Sequence, residues 1–334
     1  MTDLNEVERS AREIITRLSE LKQEIKKVIV GQEEIIDQLL ITFLAGGHAL
    51  LEGVPGLAKT LMIRSLSEAI DLHFRRIQFT PDLMPSDIIG TEILEEDHTT
   101  GKRIFKFNKG PIFANIILAD EINRTSPKTQ SALLEAMQEF AVTYAGTTYP
   151  LERPFFILAT QNPIEQSGTF PLPEAQLDRF LLYIKVDYPT PDEERAILEN
   201  TTGKKGEPIR SVIDGNKILE AQKLVRDVHM NPELVDWVSR IVRGTRPGTE
   251  GDKFVNEWVR WGAGPRAGQA MILTAKARAL LQGNFSATQN DIRHVAYPVL
   301  RHRILMNFKA EAERVTPDEV THHLLQNITP AKGL

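Results

Sequence analysis

The chain has 334 residues, of which 41% are hydrophobic and 25% are charged, and these values are typical of a globular protein. Its 40 basic and 45 acidic residues leave a net charge of −5, which argues against strong non-specific binding to nucleic acid or to an anionic membrane. The chain contains no cysteine, which excludes disulfides, thiolate metal sites and cysteine nucleophiles. No N-terminal segment combines basic residues with an apolar core, and no apolar run approaches the ~18 residues of a membrane span, so we expect a cytoplasmic protein.

Helices are predicted at the start of the chain. Apolar residues from Val7 to Val28 recur in steps of four and three, which is the spacing of one face of a helix. This pattern suits a coiled coil or a helix packed on its own domain, and the second is the commoner outcome. A second helical segment spans residues 33–43 and leads to a short apolar strand at residues 48–51.

A glycine-rich turn follows this strand, with the sequence GVPGLAKT at residues 53–60, and a helical pattern follows the turn. A phosphate-binding loop has this order, because its backbone N–H groups and the helix N-terminus together bind an anion. We expect Lys59 to contact the β- and γ-phosphates of a nucleotide, and the hydroxyl of Thr60 to bind Mg²⁺. Ala58 stands where the usual motif has its second glycine, so we expect its φ to be negative. The alternative is an ordinary Gly-Pro turn between a strand and a helix.

Strands and helices alternate up to residue 186. Strands are predicted at residues 74–79, 116–119, 155–160 and 180–186, a turn that enters a short helix at 80–90, a helix at 127–140, and hairpins at 91–108 and 141–151. This alternation predicts an α/β fold with a mainly parallel sheet that has helices on both faces. Beyond residue 187 the pattern contains helices and no convincing strand. We therefore predict two domains, an α/β domain at residues 1–186 and a smaller all-α domain at residues 187–334.

Polar residues follow two of the predicted strands and are candidates for catalysis. Asp120 and Glu121 follow the strand at 116–119, where Asp120 can hold Mg²⁺ and Glu121 can accept a proton from an attacking water. Asn162 follows the strand at 155–160, and its amide can orient water against a γ-phosphate. The structural alternatives are a helix cap for the acidic pair and an Asn-Pro turn for Asn162.

Two arginines are candidates for contact with the nucleotide. Arg179 lies between a predicted helix and a strand, and an arginine supplied to the γ-phosphate by a neighbouring subunit would couple hydrolysis to assembly. Arg266 opens a helix of the second domain, from which it could reach the nucleotide across a cleft. The alternative for either residue is an ion pair with a nearby carboxylate.

In this order the motifs resemble those of the AAA+ ATPases, and within them those of the MoxR family. The most specific stretches are GVPGLAKT (53–60), LADEINRTSPKTQSALLEAMQE (118–139), ATQNP (159–163), PLPEAQLDRF (171–180) and GPRA (264–267). The resemblance covers about residues 28–300 and implies a P-loop NTPase fold in which the helical domain is the lid. MoxR-type proteins share the alanine before the lysine of the loop.

The resemblance implies a role for each candidate residue. Asn162 would be sensor 1, Arg179 the arginine finger and Arg266 sensor 2, while Glu121 would be the catalytic base. Arg124 is a second candidate for the finger. Thr60 and Asp120 would bind Mg²⁺. The residues that would bind ATP are Val30, Gly31, Gly53, Val54, Pro55, Gly56, Leu57, Ala58, Lys59, Thr60, Leu61 and Asp120.

The function that the resemblance implies is ATP hydrolysis by a ring, expected to be a hexamer, that remodels or activates partner proteins in a chaperone-like role. MoxR-type proteins are often paired with proteins that carry a von Willebrand factor A domain, so such a protein is an expected client. The two hairpins would be family insertions that could face a central pore. One alternative is a motor or loader acting on nucleic acid, against which the acidic net charge counts. Another is a nucleotide-gated scaffold without activity, against which Glu121 and Arg179 count.

Overall fold

The computed structural model describes residues 2–54, 56–96, 103–162, 168–202, 207–249 and 251–330. Its helices are α1 (Thr2–Lys26), α2 (Glu33–Leu44), α3 (Lys59–Ile70), α4 (Pro85–Ile89), α5 (Pro127–Glu139), α6 (Glu174–Leu177), α7 (Pro191–Thr202), α8 (Gly215–Asp227), α9 (Pro232–Gly244), α10 (Lys253–Trp258), α11 (Pro265–Leu281), α12 (Gln289–Leu300), α13 (Phe308–Glu313) and α14 (Pro317–Asn327). Its strands are β1 (Ala49–Gly53), β2 (Phe74–Gln78), β3 (Gly90–Glu96), β4 (Arg103–Lys109), β5 (Ile116–Asp120), β6 (Ala141–Tyr144), β7 (Thr147–Pro150), β8 (Phe156–Gln161), β9 (Leu182–Val186), β10 (Val259–Trp261) and β11 (Leu305–Met306).

A five-stranded parallel sheet forms the centre of the first part of the chain, as predicted. Its strand order is β2-β5-β8-β1-β9, and Leu50 of β1 lies opposite Ala159 on one side and Tyr183 on the other. The chain therefore leaves β1 toward one edge of the sheet and leaves β8 toward the other edge. The carboxyl ends of β1 and β8 flank this topological switch point, which is where open α/β sheets bind their ligands.

Side chains alternate along the buried strands and enter two hydrophobic layers, one on each face of the sheet. On β1, Leu51 belongs to one layer and Leu50 to the other, as expected for a side-chain period of two. The first layer also contains buried residues of α1, α2, α3 and most helices of the second part. The second layer contains residues of α4, α5 and the hairpin β6–β7. Helices therefore cover both faces, as predicted.

Helix α1 buries its apolar face within its own chain. Ile14, Leu18, Leu21 and Ile25 are at most 3% exposed and belong to the layer that also includes α3, α8 and α11. This arrangement matches the commoner of the two predicted outcomes for an amphipathic helix. Because helices of the second part enter the same layer, the two parts share one core on this face. The domain boundary near residue 187 remains a prediction.

Both predicted hairpins are present. In β3–β4, Leu94 lies opposite Phe105, and β6 pairs with β7 in the same antiparallel manner. The ring of Phe107 stacks on that of Tyr149 with 4.4 Å between centroids, which joins the two hairpins. The turn predicted at residues 97–101 lies outside the described residues.

The second part of the chain is helical, as predicted, with one short strand pair in addition. Thr288 and Asp291 form a capping box at the start of α12, and Thr316 and Glu319 form another at α14. The pair β10–β11 is antiparallel. The sequence pattern did not predict it, because strands of two or three residues are too short to show alternation. Within the described ranges, no helix combines the length and the apolar character needed to cross a membrane.

His48 is buried beside β8 and α5, and we expect it to make stability depend on pH. Its Nε2 bonds the carbonyl of Met137 at 3.1 Å, and its Nδ1 accepts the N–H of Ile157 at 3.1 Å, so the neutral imidazole satisfies both partners. Burial lowers the pKa of His48 from 6.5 to about 4. Since the folded pKa lies below the unfolded pKa, this stability is fully present above pH ~6.5 and is lost as the pH falls toward 4.

The expected loss of unfolding free energy from His48 is about 2 kcal/mol between pH 7.5 and pH 5. Urea unfolding at both pH values gives the free energy of unfolding of the wild type and of His48→Gln. The contribution of His48 is the amount by which the wild type loses more of this free energy than the variant between pH 7.5 and pH 5. Burial and the neighbouring Arg303 also lower the pKa of His302, and both proteins share that contribution. Equal pH dependences in the two proteins would show that His48 does not titrate in this way.

Candidate functional site

A cavity of about 440 Å³ opens at the carboxyl ends of β1, β5 and β8, and we call it the phosphate cavity. Its lining comes from the turn after β1, the start of α3, the edge strand β2 and the ends of β5 and β8. The lining residues are Gly56, Ala58, Lys59, Thr60, Leu61, Arg76, Gln78, Asp120, Glu121 and Asn162. The predicted glycine-rich turn, acidic pair and asparagine therefore meet in one place.

The turn after β1 contains two residues in the left-handed conformation. Gly56 has a φ of +89° and Ala58 has a φ of +54°. The prediction of a negative φ at Ala58 is wrong, because the turn into α3 requires there the conformation that a glycine adopts most easily, and alanine adopts it at a cost of roughly 1–2 kcal/mol. Left-handed residues in a turn direct successive backbone N–H groups inward, which forms an anion-binding nest. Pro55 lies outside the described residues.

The N-terminus of α3 faces the phosphate cavity. Ala58 is its N-cap, and no side chain of the described residues caps the helix there, so its first N–H groups are available to an anion. Of the remaining predicted loop residues, Gly53 ends β1, Val54 follows it, and Leu57 packs against the first hydrophobic layer.

Lys59 begins α3 and bridges the loop. Its ammonium group donates a hydrogen bond to the carbonyl of Gly53 at 2.7 Å. Burial lowers the pKa of Lys59, while the carboxylates of Asp120 and Glu121 oppose that shift. The lysine is therefore a half-buried cation opposite two carboxylates.

The end of β8 fixes the acidic pair. The hydroxyl of Thr160 donates to Asp120 Oδ1 at 2.6 Å and accepts the backbone N–H of Glu121 at 2.9 Å. On the other side, Arg76 Nη2 donates to Asp120 Oδ2 at 2.6 Å. Both oxygens of Asp120 are thus oriented by neighbouring strands.

The carboxylate of Glu121 has two partners on its own chain. Its Oε2 accepts from Gln78 Nε2 at 2.7 Å and from Arg124 Nη1 at 2.9 Å. Glu121 itself has a φ of +58°, and at this residue the chain turns from the end of β5 into a short 3-10 helix at Ile122–Arg124. Arg124, predicted as a second candidate for contact with a neighbouring subunit, therefore lies against the Glu121 of its own chain.

Three residues of this site were not predicted, namely Arg76, Gln78 and Thr160. Arg76 and Gln78 are two positions apart on β2, so their side chains point to the same face, and Gln78 lies opposite Asp120 in the sheet. Two polar residues at alternate positions of a predicted strand are a signal for one polar face, but the sequence does not show that this strand lies next to the one with the acidic pair. Thr160 lies near the end of the apolar strand β8. From the sequence, its hydroxyl cannot be told apart from that of any other buried threonine.

Neither Arg179 nor Arg266 is part of the described lining of the phosphate cavity, and each is placed by its relation to Asp178. Arg266 Nη1 is 3.6 Å from Asp178 Oδ2, and Asp178 immediately precedes Arg179. The other carboxylate oxygen of Asp178 is 2.7 Å from Nε of Arg303, whose side chain is only 4% exposed. This network holds the segment around Asp178 against the second part of the chain.

Val30 and Gly31 line a different cavity, of about 360 Å³, together with Asn200 of α7 and residues at the end of α1. The turn that contains these two residues is fixed to α7, because the N–H of Gln32 donates to Glu193 Oε1 at 3.0 Å. Hydrogen bonds from Thr190 and then from Gln32 lower the pKa of Glu193. Within the described residues, these predicted adenine contacts are therefore not part of the lining of the phosphate cavity.

The phosphate cavity suits a nucleotide with its metal ion. The hydroxyl of Thr60 and the carboxylate of Asp120 line it together, and oxygen donors of this kind are preferred by Mg²⁺. Lys59 and the open N-terminus of α3 supply positive charge for phosphate groups.

Two family descriptions match the sequence. Residues 48–182 match the ATPase family associated with various cellular activities (AAA), and residues 252–324 match the AAA lid domain. The chain is 43% identical to Chaperone MoxR1 of Mycobacterium tuberculosis over 306 residues. These residues cover 91% of this chain and 80% of that protein. The chain belongs to the MoxR family of AAA+ ATPases.

Further relatives agree with the MoxR assignment. Protein MoxR of Paracoccus denitrificans is 29% identical over 315 residues, which cover 89% of this chain and 91% of that protein. A protein from Cytophaga hutchinsonii whose crystal structure is known is 41% identical to this chain in sequence. The two structures superpose with a TM-score of 0.92 over 99% of this chain and 100% of the other. The predicted MoxR family, with its α/β domain and helical lid, is confirmed.

Proposed function

We propose that this MoxR-family protein binds ATP with Mg²⁺ in the phosphate cavity, hydrolyses it as a ring, and uses the hydrolysis to remodel partner proteins. The observation that carries the proposal is the meeting of Lys59, Thr60, Asp120, Glu121 and Asn162 in one cavity of about 440 Å³. The name of the Mycobacterium tuberculosis relative, a chaperone, supports the remodelling role.

The loop after β1 binds the phosphates of ATP in this proposal. Its backbone N–H groups, the N-terminus of α3 and the ammonium group of Lys59 hold the phosphates, with the adenine toward Val30 and Gly31. Thr60 and Asp120 hold the metal ion. When bound, Mg²⁺ neutralises phosphate charge as it builds up during phosphoryl transfer.

Hydrolysis falls to residues at the ends of β5 and β8. Glu121 accepts a proton from the attacking water, whose oxygen forms a bond to the γ-phosphorus as the bond to the ADP oxygen breaks. The hydrogen bonds from Gln78 and Arg124 hold the Glu121 carboxylate in place. Asn162, which lines the same cavity, orients the water.

In this proposal Arg179 acts on the nucleotide of a neighbouring subunit, and Arg266 is sensor 2, which reaches the nucleotide across a cleft from the helical part. Arg266 is 55% exposed and lies beside Asp178 rather than in the lining of its own phosphate cavity. An arginine that reaches the γ-phosphate stabilises charge in the transition state. A ring, for which we propose six subunits, would place Arg179 of each chain at the next chain's site.

In this proposal the protein acts in the cytoplasm on a client protein, and a protein with a von Willebrand factor A domain is the first kind to test. Hairpin β3–β4 offers apolar contacts, because Leu94 is 52% exposed and Phe105, directly opposite, is 73% exposed. Exposed apolar pairs of this kind suit contact with an unfolded segment of a client. A location of this hairpin at a central pore would give both side chains access to it.

Replacing Lys59 with alanine is expected to weaken ATP binding by roughly 100-fold, because charge-assisted hydrogen bonds to the phosphates are lost. Titration of a fluorescent ATP analogue with Mg²⁺ measures the affinity. Lys128→Ala is a matched control, since Lys128 is an exposed lysine on α5. Normal affinity of Lys59→Ala would refute the phosphate cavity as the ATP site.

A further inference from the structure

Arg76 lines the phosphate cavity, and the reaction proposed above gives this residue no task. It belongs to the edge strand β2. Its guanidinium group meets Asp120 with one edge, because Nη2 donates to Oδ2 at 2.6 Å and Nε donates to the same oxygen at 3.1 Å. Thr160 donates to the other carboxylate oxygen at 2.6 Å. The planar guanidinium group is therefore held in one orientation by a carboxylate that is itself held in place.

The same nitrogen of Arg76 also contacts Gln78. Nη2 donates to Gln78 Oε1 at 2.6 Å. Since a guanidinium group can only donate hydrogen bonds, the atom of Gln78 that faces it has to be the amide oxygen. The amide nitrogen then faces Glu121, and Gln78 Nε2 donates to Glu121 Oε2 at 2.7 Å. Arg76 thus determines which end of the Gln78 amide meets the proposed base.

The orientation of the Gln78 amide matters for the Glu121 carboxylate. The oxygen and the nitrogen of an amide are similar in size, so hydrogen bonding decides between its two orientations. In the opposite orientation, the amide oxygen of Gln78 would face Glu121 Oε2, and two acceptors repel each other. The amide nitrogen would at the same time face the guanidinium group of Arg76, where two donors meet. The observed orientation is the one that satisfies all three side chains.

We propose that Arg76 is a positioning residue of the ATPase site, which links Asp120 to the base Glu121 through the amide of Gln78. This inference rests on the proposed function, because it assumes that Glu121 accepts the proton of the attacking water. Arg76 and Gln78 both belong to β2, whereas Asp120 and Glu121 are consecutive at the end of β5. A neighbouring strand thereby couples the orientations of two adjacent carboxylates.

Replacing Arg76 with alanine is expected to lower kcat for ATP hydrolysis by about 10- to 100-fold, because a base that is misplaced by about 1 Å can lose activity of that order. The affinity for a fluorescent ATP analogue should change by less than about threefold, since the lost bonds are to side chains. Phosphate release at saturating ATP and titration of the analogue measure the two quantities.

Arg75→Ala is a matched control. Arg75 is an exposed arginine one position earlier on β2, so its side chain points to the opposite face of the strand. Its replacement changes the net charge equally and should leave kcat at the wild-type value. If Arg76→Ala instead kept its kcat and lost affinity for the analogue, Arg76 would be a phosphate ligand, and the positioning role would be wrong.

Arg76→Lys separates orientation from charge. Lysine keeps the positive charge beside Asp120 but lacks the planar group whose N–H donors hold fixed directions. We therefore expect kcat of this variant to remain well below that of the wild type. Full activity of Arg76→Lys would show that the charge alone is needed, which would overturn the positioning role.

A double-mutant cycle with Gln78→Ala tests the proposed route. If Arg76 acts through Gln78, removing Arg76 from the Gln78→Ala variant should change kcat by less than about threefold, because the two residues act as one unit. Independent contributions would instead multiply, so that the double variant would be much slower than either single variant. That result would contradict an action through the Gln78 amide.

The wild type and Glu121→Gln, measured in the same assays, separate this inference from the proposed function. A wild type without ATP hydrolysis, or an unchanged rate in Glu121→Gln, would overturn the proposed function together with the inference. An active wild type and a slow Glu121→Gln, with Arg76→Ala as fast as Arg75→Ala, would overturn the role of Arg76 alone.

Discussion

Replacing Glu121 with glutamine is expected to slow ATP hydrolysis by about 10²- to 10⁴-fold, the usual contribution of a general base. Glutamine keeps the size of the side chain and can still accept the hydrogen bond that Gln78 donates at 2.7 Å. It cannot take a proton from water, so ATP should bind and remain uncleaved. Phosphate release under saturating ATP measures the rate, and titration with a labelled ATP analogue measures the affinity.

A matched control for this variant is Glu135→Gln, since Glu135 is an exposed glutamate on α5 and its replacement changes the net charge equally. The control should hydrolyse ATP at the wild-type rate. If Glu121→Gln kept its turnover within threefold of wild type, Glu121 would not be the base, and its role would be limited to the structure of the site.

Replacing Arg179 with alanine is expected to slow hydrolysis by roughly 10³-fold or more, the usual effect of losing an arginine finger. Mixing Arg179→Ala chains with Glu121→Gln chains should restore activity. About a quarter of the interfaces in a randomly mixed ring would join an intact Glu121 to an intact Arg179 of the neighbour. The measurement is the steady-state ATPase rate of the mixture against that of each variant alone.

The chain offers a control for this complementation. Arg124 lies 2.9 Å from Glu121 of its own chain, so mixing Arg124→Ala with Glu121→Gln should not restore activity through a shared interface. Arg195→Ala, a change to a side chain that is 73% exposed, should leave the rate unchanged. Failure of Arg179→Ala to complement, with assembly confirmed, would mean that Arg179 acts within its own chain or only structurally.

Much of the nucleotide site could be predicted because its parts are short and local. An apolar strand, a glycine-rich turn and a helix are consecutive in sequence, and Asp120 and Glu121 directly follow a buried strand. The rule that parallel strands bring their carboxyl ends to one edge then places these parts together. The conformation of Ala58 could not be predicted in the same way, because residue preference favours a negative φ and the geometry of the turn overrides it.

Contacts between distant segments of the chain could not be predicted from local sequence patterns. Gln78 reaches Glu121 only because β2 and β5 are neighbours in the sheet, and sequence order does not fix which strands are adjacent. Arg266 was predicted to reach across a cleft, and its observed partner Asp178 follows from the packing of the helical part. The strands β10 and β11 were missed because three and two residues are too few to show the alternation that identifies a strand.

The shared hydrophobic layer that joins α1, α2, the sheet and the lid helices has a mechanical consequence. Bending the lid against the sheet would expose residues such as Leu21 and Leu40, which are at most 1% exposed, and each exposed leucine costs about 1.5–3 kcal/mol. The buried Arg303, fixed to Asp178, stiffens the same junction. We therefore expect the α/β part and the helical part of one chain to move as a single rigid body. In the ring that we propose, the movement that follows ATP hydrolysis is then a rotation of whole subunits against one another, and its force is delivered at the boundaries between subunits.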